Sequence, residues 1–223
     1  MNDYQYRTLP RYANSDLSEL KRLNLGEKFM ATQKSLDFGT AFHTLILEPA
    51  KRQSILTATG IEMSDLISLY VMEERINAFS DLRVMFADAE KETVRQWVCP
   101  ITGLPLKAKL DAVIMPRRRH LVDLKTTSCK SLADFLESCY SFDYDRQAAF
   151  YLSSDPNAAF FEFVGVQKVP PYNVYRLAFH KSDEFIKYGQ KKMEFWLQRA
   201  YEESLKEDGW RPSSWSRKEV EQV

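Results

Sequence analysis

The stretches KAKLDAVI (residues 107–114) and HLVDLKTT (residues 120–127) decide the fold that the sequence predicts. In the first stretch polar and apolar residues alternate, which is typical of a strand that carries its polar side chains on one face. An arginine-rich turn centred near Arg117 separates the two stretches, so we expect a β-hairpin. Asp111 and Asp123 are equally far from the turn centre, and the hairpin should therefore place them opposite each other, about 5 Å apart at Cα.

The predicted hairpin gathers charged side chains at one place. Asp123 and Lys125 are two residues apart, so they share a strand face. Two carboxylates as close as Asp111 and Asp123 repel each other, and a divalent cation would neutralise that repulsion. Oxygen ligands suit Mg²⁺ or Mn²⁺. The sequence therefore predicts the Asp...Asp-x-Lys site of a metal-dependent nuclease.

Three segments together resemble the PD-(D/E)xK nuclease superfamily. The hairpin resembles its acid and acid-x-Lys strands, and LDFGTAFHTLILEP (residues 36–49) resembles the Gly-x-x-x-His helix of RecB-like and RecE-like exonucleases. RQAAFYL (residues 146–152) resembles the Gln-x-x-x-Tyr helix that follows. In order and spacing, residues 13–155 are similar to the RecE-type phage and prophage exonucleases, the exodeoxyribonuclease VIII C-terminal domain, which are related to lambda exonuclease.

The resemblance has two departures and one open position. Leu110 stands where the superfamily name has Pro, and Asp123 stands where it often has Glu. Neither change removes a ligand. Glu92 falls where related enzymes often carry a further acid, although an exposed Glu at the start of a strand is common, and its membership of the site stays open.

The resemblance implies a role for each candidate residue. Metal ligands should bind Mg²⁺, for which Mn²⁺ would substitute, and a lysine should position or help deprotonate the attacking water. An amide and a phenol should orient the scissile phosphate or that lysine. The implied metal ligands are His43, Asp111, Asp123 and the main-chain carbonyl of Leu124; the implied catalytic residues are Asp111, Asp123, Lys125, Gln147 and Tyr151.

Some of these residues also have a structural interpretation. Gly39 and His43 are four apart and share a helix face, yet a histidine on an apolar helix is often a core residue. Gln147 and Tyr151 also fit an amphipathic helix that carries one stray amide.

The resemblance further implies an activity and an assembly. Such enzymes degrade one strand of double-stranded DNA from its 5′ end, form ring-shaped trimers or tetramers around the duplex, and supply single strands to a RecT-like annealing protein. Two alternatives remain: a structure-selective endonuclease of the same superfamily, and a DNA-binding or assembly protein with a decayed metal site. Digestion of linear and covalently closed DNA would separate the three.

Composition restricts the mode of DNA binding. The chain has 223 residues, 31 basic and 31 acidic, so it lacks bulk positive charge and any DNA affinity must be local. Lys107 and Lys109 beside Asp111 are the favoured phosphate contact. Encirclement by a ring would let such modest patches act together. The aromatic segment from Trp196 to Trp215 is the expected contact between subunits.

Three cysteines without C-x-x-C spacing predict a reducing compartment and no iron–sulfur cluster, which would need four. We find no signal peptide and no membrane-spanning run, and therefore expect a cytoplasmic protein of a bacterium or a phage-infected host.

The predicted architecture is an α/β restriction-endonuclease-like core in which helices flank a mixed sheet of about five strands. A single domain should span residues 1–223, with a core of about 13–207 and a tail of 208–223. Predicted core positions in the helical region 63–91 include Leu66, Leu69, Tyr70, Ile76, Phe79 and Val84. The predicted strands are at 93–99, 104–115, 120–126, 158–168 and 173–180, and the other predicted helices are at 15–23, 36–49, 131–152 (two) and 182–207.

Overall fold

The computed structural model describes residues 1–27, 31–58, 60–115 and 119–216. Five strands form one sheet, and nine α-helices lie in these ranges. The strands are β1 (Glu90–Val98), β2 (Pro105–Ile114), β3 (Arg119–Thr127), β4 (Ala158–Gln167) and β5 (Val174–His180). The helices are α1 (Asp3–Thr8), α2 (Asn14–Leu25), α3 (Gln33–Leu47), α4 (Arg52–Ile55), α5 (Met63–Ala78), α6 (Ser80–Asp88), α7 (Leu132–Ser141), α8 (Tyr144–Leu152) and α9 (Glu184–Ser204).

The sheet is mixed and its strands follow chain order, β1-β2-β3-β4-β5. All neighbouring pairs are antiparallel except β3 and β4, which are parallel. A parallel pair needs a crossover, which α7 and α8 provide. The predicted mixed sheet of five strands is confirmed.

Helices cover both faces of the sheet and close two apolar cores. On one face α2, α7, α8 and α9 pack their buried side chains against β2, β3 and β4, with Leu17, Phe135 and Phe150 almost fully enclosed. On the other face α3, α5 and α6 do the same through residues such as Phe42 and Leu82. Within the described ranges, no helix is both long enough and apolar enough to cross a membrane.

The hairpin of β2 and β3 has the predicted register. Ala112 pairs with Val122, and Val113 pairs with Leu121. This is the register in which position 111 faces position 123. Arg117, the predicted turn centre, lies outside the described residues.

Two predicted core positions are wrong. Phe79 and Val84 are exposed, whereas Leu82 and Phe86 are buried in their place. The reason is a change of helix phase, because α5 ends at Ala78 and α6 begins separately at Ser80.

Aromatic side chains of the C-terminal segment make contacts within the chain. Trp196 is buried in the core beneath α9. The Trp210 indole donates to Glu19 at 3.2 Å, and Trp215 packs against Tyr12 with ring centroids 5.0 Å apart. Trp210 and Trp215 are only partly buried, so the subunit contact at this segment stays a prediction.

Helix α1 is absent from the sequence prediction, although its signal is present. The Asn2 side chain accepts a hydrogen bond from the main-chain N–H of Gln5 at 2.7 Å, and the Gln5 side chain accepts one from the main-chain N–H of Asn2 at 3.0 Å. This is the reciprocal capping box that starts many helices. None of the α1 residues is fully buried, and polar contacts join the helix to the domain.

Lys107 provides much of that attachment and is itself 1% exposed. Its ammonium donates to the carbonyl oxygens of Tyr6, Arg7 and Leu9 at 2.8, 2.9 and 2.9 Å. These are carbonyls at the end of α1, where a helix leaves acceptors unsatisfied and attracts cations. The predicted phosphate contact at Lys107 is therefore wrong, because its ammonium is already fully engaged.

Lys107→Met should lower the free energy of unfolding by about 1–3 kcal/mol, since three hydrogen bonds to a buried charge are lost. Urea denaturation followed by circular dichroism would measure the change. Lys187→Met is the control, because Lys187 is exposed and should change stability by less than about 0.5 kcal/mol. Equal stability of the two variants would contradict the anchoring role.

Candidate active site

The sheet opens locally around Asp111. On one side, regular pairing of β2 with β3 stops at Ala112, and the Asp111 carboxylate itself accepts from the Leu124 amide at 2.8 Å. On the other side, β1 and β2 pair on both flanks of Glu92 but not at it. Glu92 has φ 53°, a left-handed conformation that is uncommon for a residue with a side chain. Asp111 therefore lies at an interruption of both ladders, where its carboxylate can reach other groups.

His43 points from α3 into this interruption. Its Nε2 lies 2.7 Å from the Leu124 carbonyl oxygen, and its Nδ1 lies 3.5 Å from Asp111 Oδ2. A carbonyl oxygen only accepts, so Nε2 carries the proton in this arrangement. The neighbouring Phe42 and Leu45 point into the core instead. The structure thus brings His43 to two of its predicted fellow ligands rather than into the apolar core.

The Asp123 carboxylate is held by one contact at each of its two oxygens. Gln147 Nε2 donates to Asp123 Oδ1 at 2.7 Å, and Lys125 Nζ lies 2.7 Å from Asp123 Oδ2. The sequence interpretation assigned Gln147 to the phosphate or to Lys125, whereas in the structure it binds the carboxylate. Tyr151, one helical turn further along α8, lines the same cleft as Asp111 and Lys125.

Burial and neighbouring charges set the protonation of this group. Burial raises the pKa of Asp111, and the nearby Asp123 raises it further, while His43 and Lys125 act in the other direction. For Lys125, burial alone would lower the pKa, but the attraction of Asp123 and other neighbours raises it above the ordinary value. Lys125 is therefore a stable ammonium, which suits a donor that positions a group better than a base that removes a proton.

The candidate ligands have the chemistry that a divalent cation requires, although they do not lie close enough together to bind one. Among the described residues none donates a well-directed hydrogen bond to the buried Oδ2 of Asp123, although Lys125 Nζ lies close to it. Carboxylates, an imidazole and a main-chain carbonyl are ligands that Mg²⁺ or Mn²⁺ accepts. No group of three His, Cys, Asp or Glu side chains in the described ranges is close enough to hold a metal.

A cleft of about 540 Å³ leads to His43, Asp111, Leu124 and Lys125. Residues of α1, α2, α3, β1, β2, β3 and α8 border the cleft. Glu92 and Lys109 line it and form an ion pair with each other. Lys109 also binds Asp3 of α1 at 2.8 Å. Of the two lysines predicted to meet phosphate, Lys109 is thus in the cleft but is paired with carboxylates.

Gly39 lies on the cleft-facing side of α3, four residues before His43. Apart from its chain neighbours and the backbone of α3, no atom of the described residues lies within 4 Å of the position that a Cβ would take there. Gly39→Leu should therefore fold at least as well as the parent chain, because helix propensity improves by up to about 1 kcal/mol. The same side chain would project towards the cleft, and DNA cleavage should fall about 10-fold or more.

Thermal unfolding and initial cleavage rates would measure the two effects of Gly39→Leu. The control is Gly39→Ala, which adds only a methyl group and should keep most of the activity. A destabilised Leu variant with normal activity per folded molecule would make Gly39 a packing residue.

Fold and site together define the class. A mixed sheet with an interrupted central hairpin, an Asp...Asp-x-Lys set and helices that present His43 and Gln147 is the arrangement of a PD-(D/E)xK domain. The family model for a "PDDEXK-like domain of unknown function (DUF3799)" matches residues 11–210, and the chain belongs to this family. Membership of this PDDEXK-like family supports the assignment of the chain as a nuclease. No curated protein matches the chain.

A solved structure shares this fold at low sequence identity. A "putative exonuclease" from Eubacterium rectale is 16% identical, with a TM-score of 0.66 over 88% of this chain and 83% of the other. A phage related exonuclease from Haemophilus somnus 129PT (11% identity, TM-score 0.47, 86% and 81% covered) is also similar, but less closely. An alkaline exonuclease from Laribacter hongkongensis is similar at 13% identity, with a TM-score of 0.44 over 91% of this chain and 95% of the other.

Proposed function

We propose that the chain is a Mg²⁺-dependent deoxyribonuclease, a single domain over residues 1–223 that degrades double-stranded DNA from its ends in the 5′ to 3′ direction. The observation that carries the proposal is the convergence of His43, Asp111, Asp123, Lys125 and Gln147, from four separate elements, at one interruption of the sheet. Family membership supports hydrolysis of phosphodiesters. Direction and end dependence rest on the resemblance to RecE-type enzymes.

The proposed metal ligands and Lys125 have different roles. Asp111 and Asp123 would hold the cation, with His43 and the Leu124 carbonyl as further ligands. A bound Mg²⁺ supplies charge neutralisation and lowers the pKa of its water. Lys125 donates from its ammonium to the attacking water or to a phosphate oxygen, where negative charge develops.

The α8 residues support this arrangement. Gln147 fixes the Asp123 carboxylate through its 2.7 Å hydrogen bond, which keeps the other oxygen directed to the site. Burial raises the pKa of the Tyr151 hydroxyl well above its ordinary value, so Tyr151 stays protonated and can donate to phosphate.

Digestion of matched linear and covalently closed circular duplexes tests the activity. Linear DNA should be degraded in Mg²⁺ or Mn²⁺ and spared with chelator, while closed circles should survive. Cleavage of both forms would favour the endonuclease alternative. DNA binding without any cleavage would favour a decayed site, which the intact candidate residues argue against. A 5′ or 3′ label would then give the direction.

The proposed partners are DNA ends, a RecT-like annealing protein and further copies of the chain, in the cytoplasm of a bacterium or a phage-infected host. Light scattering should give the mass of a trimer or tetramer. A monomer would remove the ring from the proposal and leave the hydrolytic site untouched.

A further inference from the structure

An aromatic ring lies directly beside the ammonium group of Lys125. Lys125 Nζ is 4.6 Å from the centre of the Tyr144 ring, within the range of a cation–π contact. The same ammonium reaches Asp123 at 2.7 Å. Lys125 is therefore held by one carboxylate and one ring face.

The fold fixes the position of this ring from both ends. Tyr144 opens α8 directly after Asp143, which has φ 55° and adopts the left-handed conformation that Asp tolerates better than most residues. Lys21 and Lys192 bind the Asp143 carboxylate at 2.7 and 2.9 Å. The ring also stacks on Phe163, with centroids 5.5 Å apart and planes 26° apart.

The ring contributes something that the carboxylate does not. Asp123 is the group that a metal ion would share with Lys125, so its attraction for the ammonium weakens when a second cation binds it. A ring face binds an ammonium but is no ligand for Mg²⁺, so its contact with Lys125 persists in either state. Burial also raises the pKa of the Tyr144 hydroxyl, which therefore stays neutral.

Resting on the function proposed above, we propose that Tyr144 is a positioning residue. The face of its ring holds the Lys125 ammonium at the scissile phosphate, and its hydroxyl has no part in that role. The sequence holds a signal for this role, since Tyr144 precedes Gln147 by three residues and so shares its helix face.

Three variants and a control test the inference. Tyr144→Phe keeps the ring and should keep kcat within about 2-fold. Tyr144→Leu and Tyr144→Met remove the ring and should lower kcat about 10-fold with KM little changed, the effect expected for losing a desolvated cation–π contact. Phe195→Leu is the matched control, because it removes a ring from beside Arg199, 5.4 Å away and outside the cleft, and should leave kcat unchanged.

A second measurement reports the contact without activity. In protein carrying ¹³C-labelled lysine, the ε-methylene signal of Lys125, assigned by its loss in Lys125→Met, should be shifted upfield by the ring. The shift should persist in Tyr144→Phe and disappear in Tyr144→Leu and Tyr144→Met, whose other lysine signals report that they fold.

The outcomes separate this inference from the proposed function. If the parent chain cleaves DNA and the Leu and Met variants keep its kcat, or the Phe variant loses it, the positioning role is overturned and the nuclease stands. An unshifted Lys125 signal also overturns the positioning role. If the signal is shifted but the parent chain cleaves no DNA under any metal, the proposed function fails, and the positioning role fails with it.

Discussion

Asp111→Asn is expected to reduce Mg²⁺-dependent DNA hydrolysis by at least about 1000-fold, equivalent to about 4 kcal/mol of transition-state stabilisation. The neutral amide binds a divalent cation much more weakly than a carboxylate does, and it carries no charge to balance that of the cation. The fold should survive, because the Asn oxygen can still accept from the Leu124 amide. Burial disfavours the charged carboxylate, so stability should be equal or higher. Cleavage of end-labelled duplex and thermal unfolding would measure the two quantities.

Asp155→Asn is a suitable control for that variant. Asp155 is another buried carboxylate that accepts a main-chain amide, from Asn157 at 3.0 Å, but it lies outside the cleft and pairs with Arg119. Its replacement should affect stability and spare activity per folded molecule. Near-normal hydrolysis by Asp111→Asn would show that the metal site has been assigned wrongly.

Lys125→Met is expected to lower kcat about 100- to 1000-fold while Mn²⁺ binding is retained. The ammonium acts on charge that appears in the transition state, so its loss affects turnover more than ground-state binding. Because Lys125 competes with a metal for Asp123 Oδ2, Mn²⁺ affinity should be unchanged or higher in the variant. Isothermal titration calorimetry with Mn²⁺ measures this directly.

Lys34→Met provides the comparison, since Lys34 is a surface residue paired with Glu62. Lost Mn²⁺ affinity in Lys125→Met would mean that the lysine builds the metal site rather than serving the reaction.

Asp123→Asn would be a less decisive variant than Asp111→Asn. It leaves the enclosed Lys125 ammonium without its carboxylate, and breaking a buried ion pair typically costs about 3–5 kcal/mol. Loss of activity in that variant could arise from unfolding alone. The structure thus separates two aspartates that the sequence pattern treated alike.

The hairpin was predictable because its information is local. Alternation in β2 and the equal spacing of Asp111 and Asp123 from the turn define a register without reference to the rest of the chain. The helices that carry His43 and Gln147 have a clear apolar periodicity, and the resemblance assigned them to the site. Their contacts in the structure agree with that placement, whereas their chemical roles stay predictions.

The errors arose where distant segments meet. Lys107 looked like a solvated strand residue, and only the packing of α1, about a hundred positions earlier, encloses it. The left-handed Glu92 is likewise invisible to an alternation pattern, because the pattern assumes regular pairing on both sides. Tyr144 was missed because its partner, Lys125, belongs to another element.

The attachment of α1 has a practical consequence for protein production. Asp3 lines the cleft, and Met1 is exposed only two residues away. Any polypeptide joined ahead of Met1, such as an affinity tag, therefore leaves the domain at the rim of the opening through which DNA would enter. A polyhistidine tag there would also bring metal-binding imidazoles close to the candidate ligands. Kinetic and calorimetric work should use protein from which such a tag has been cleaved.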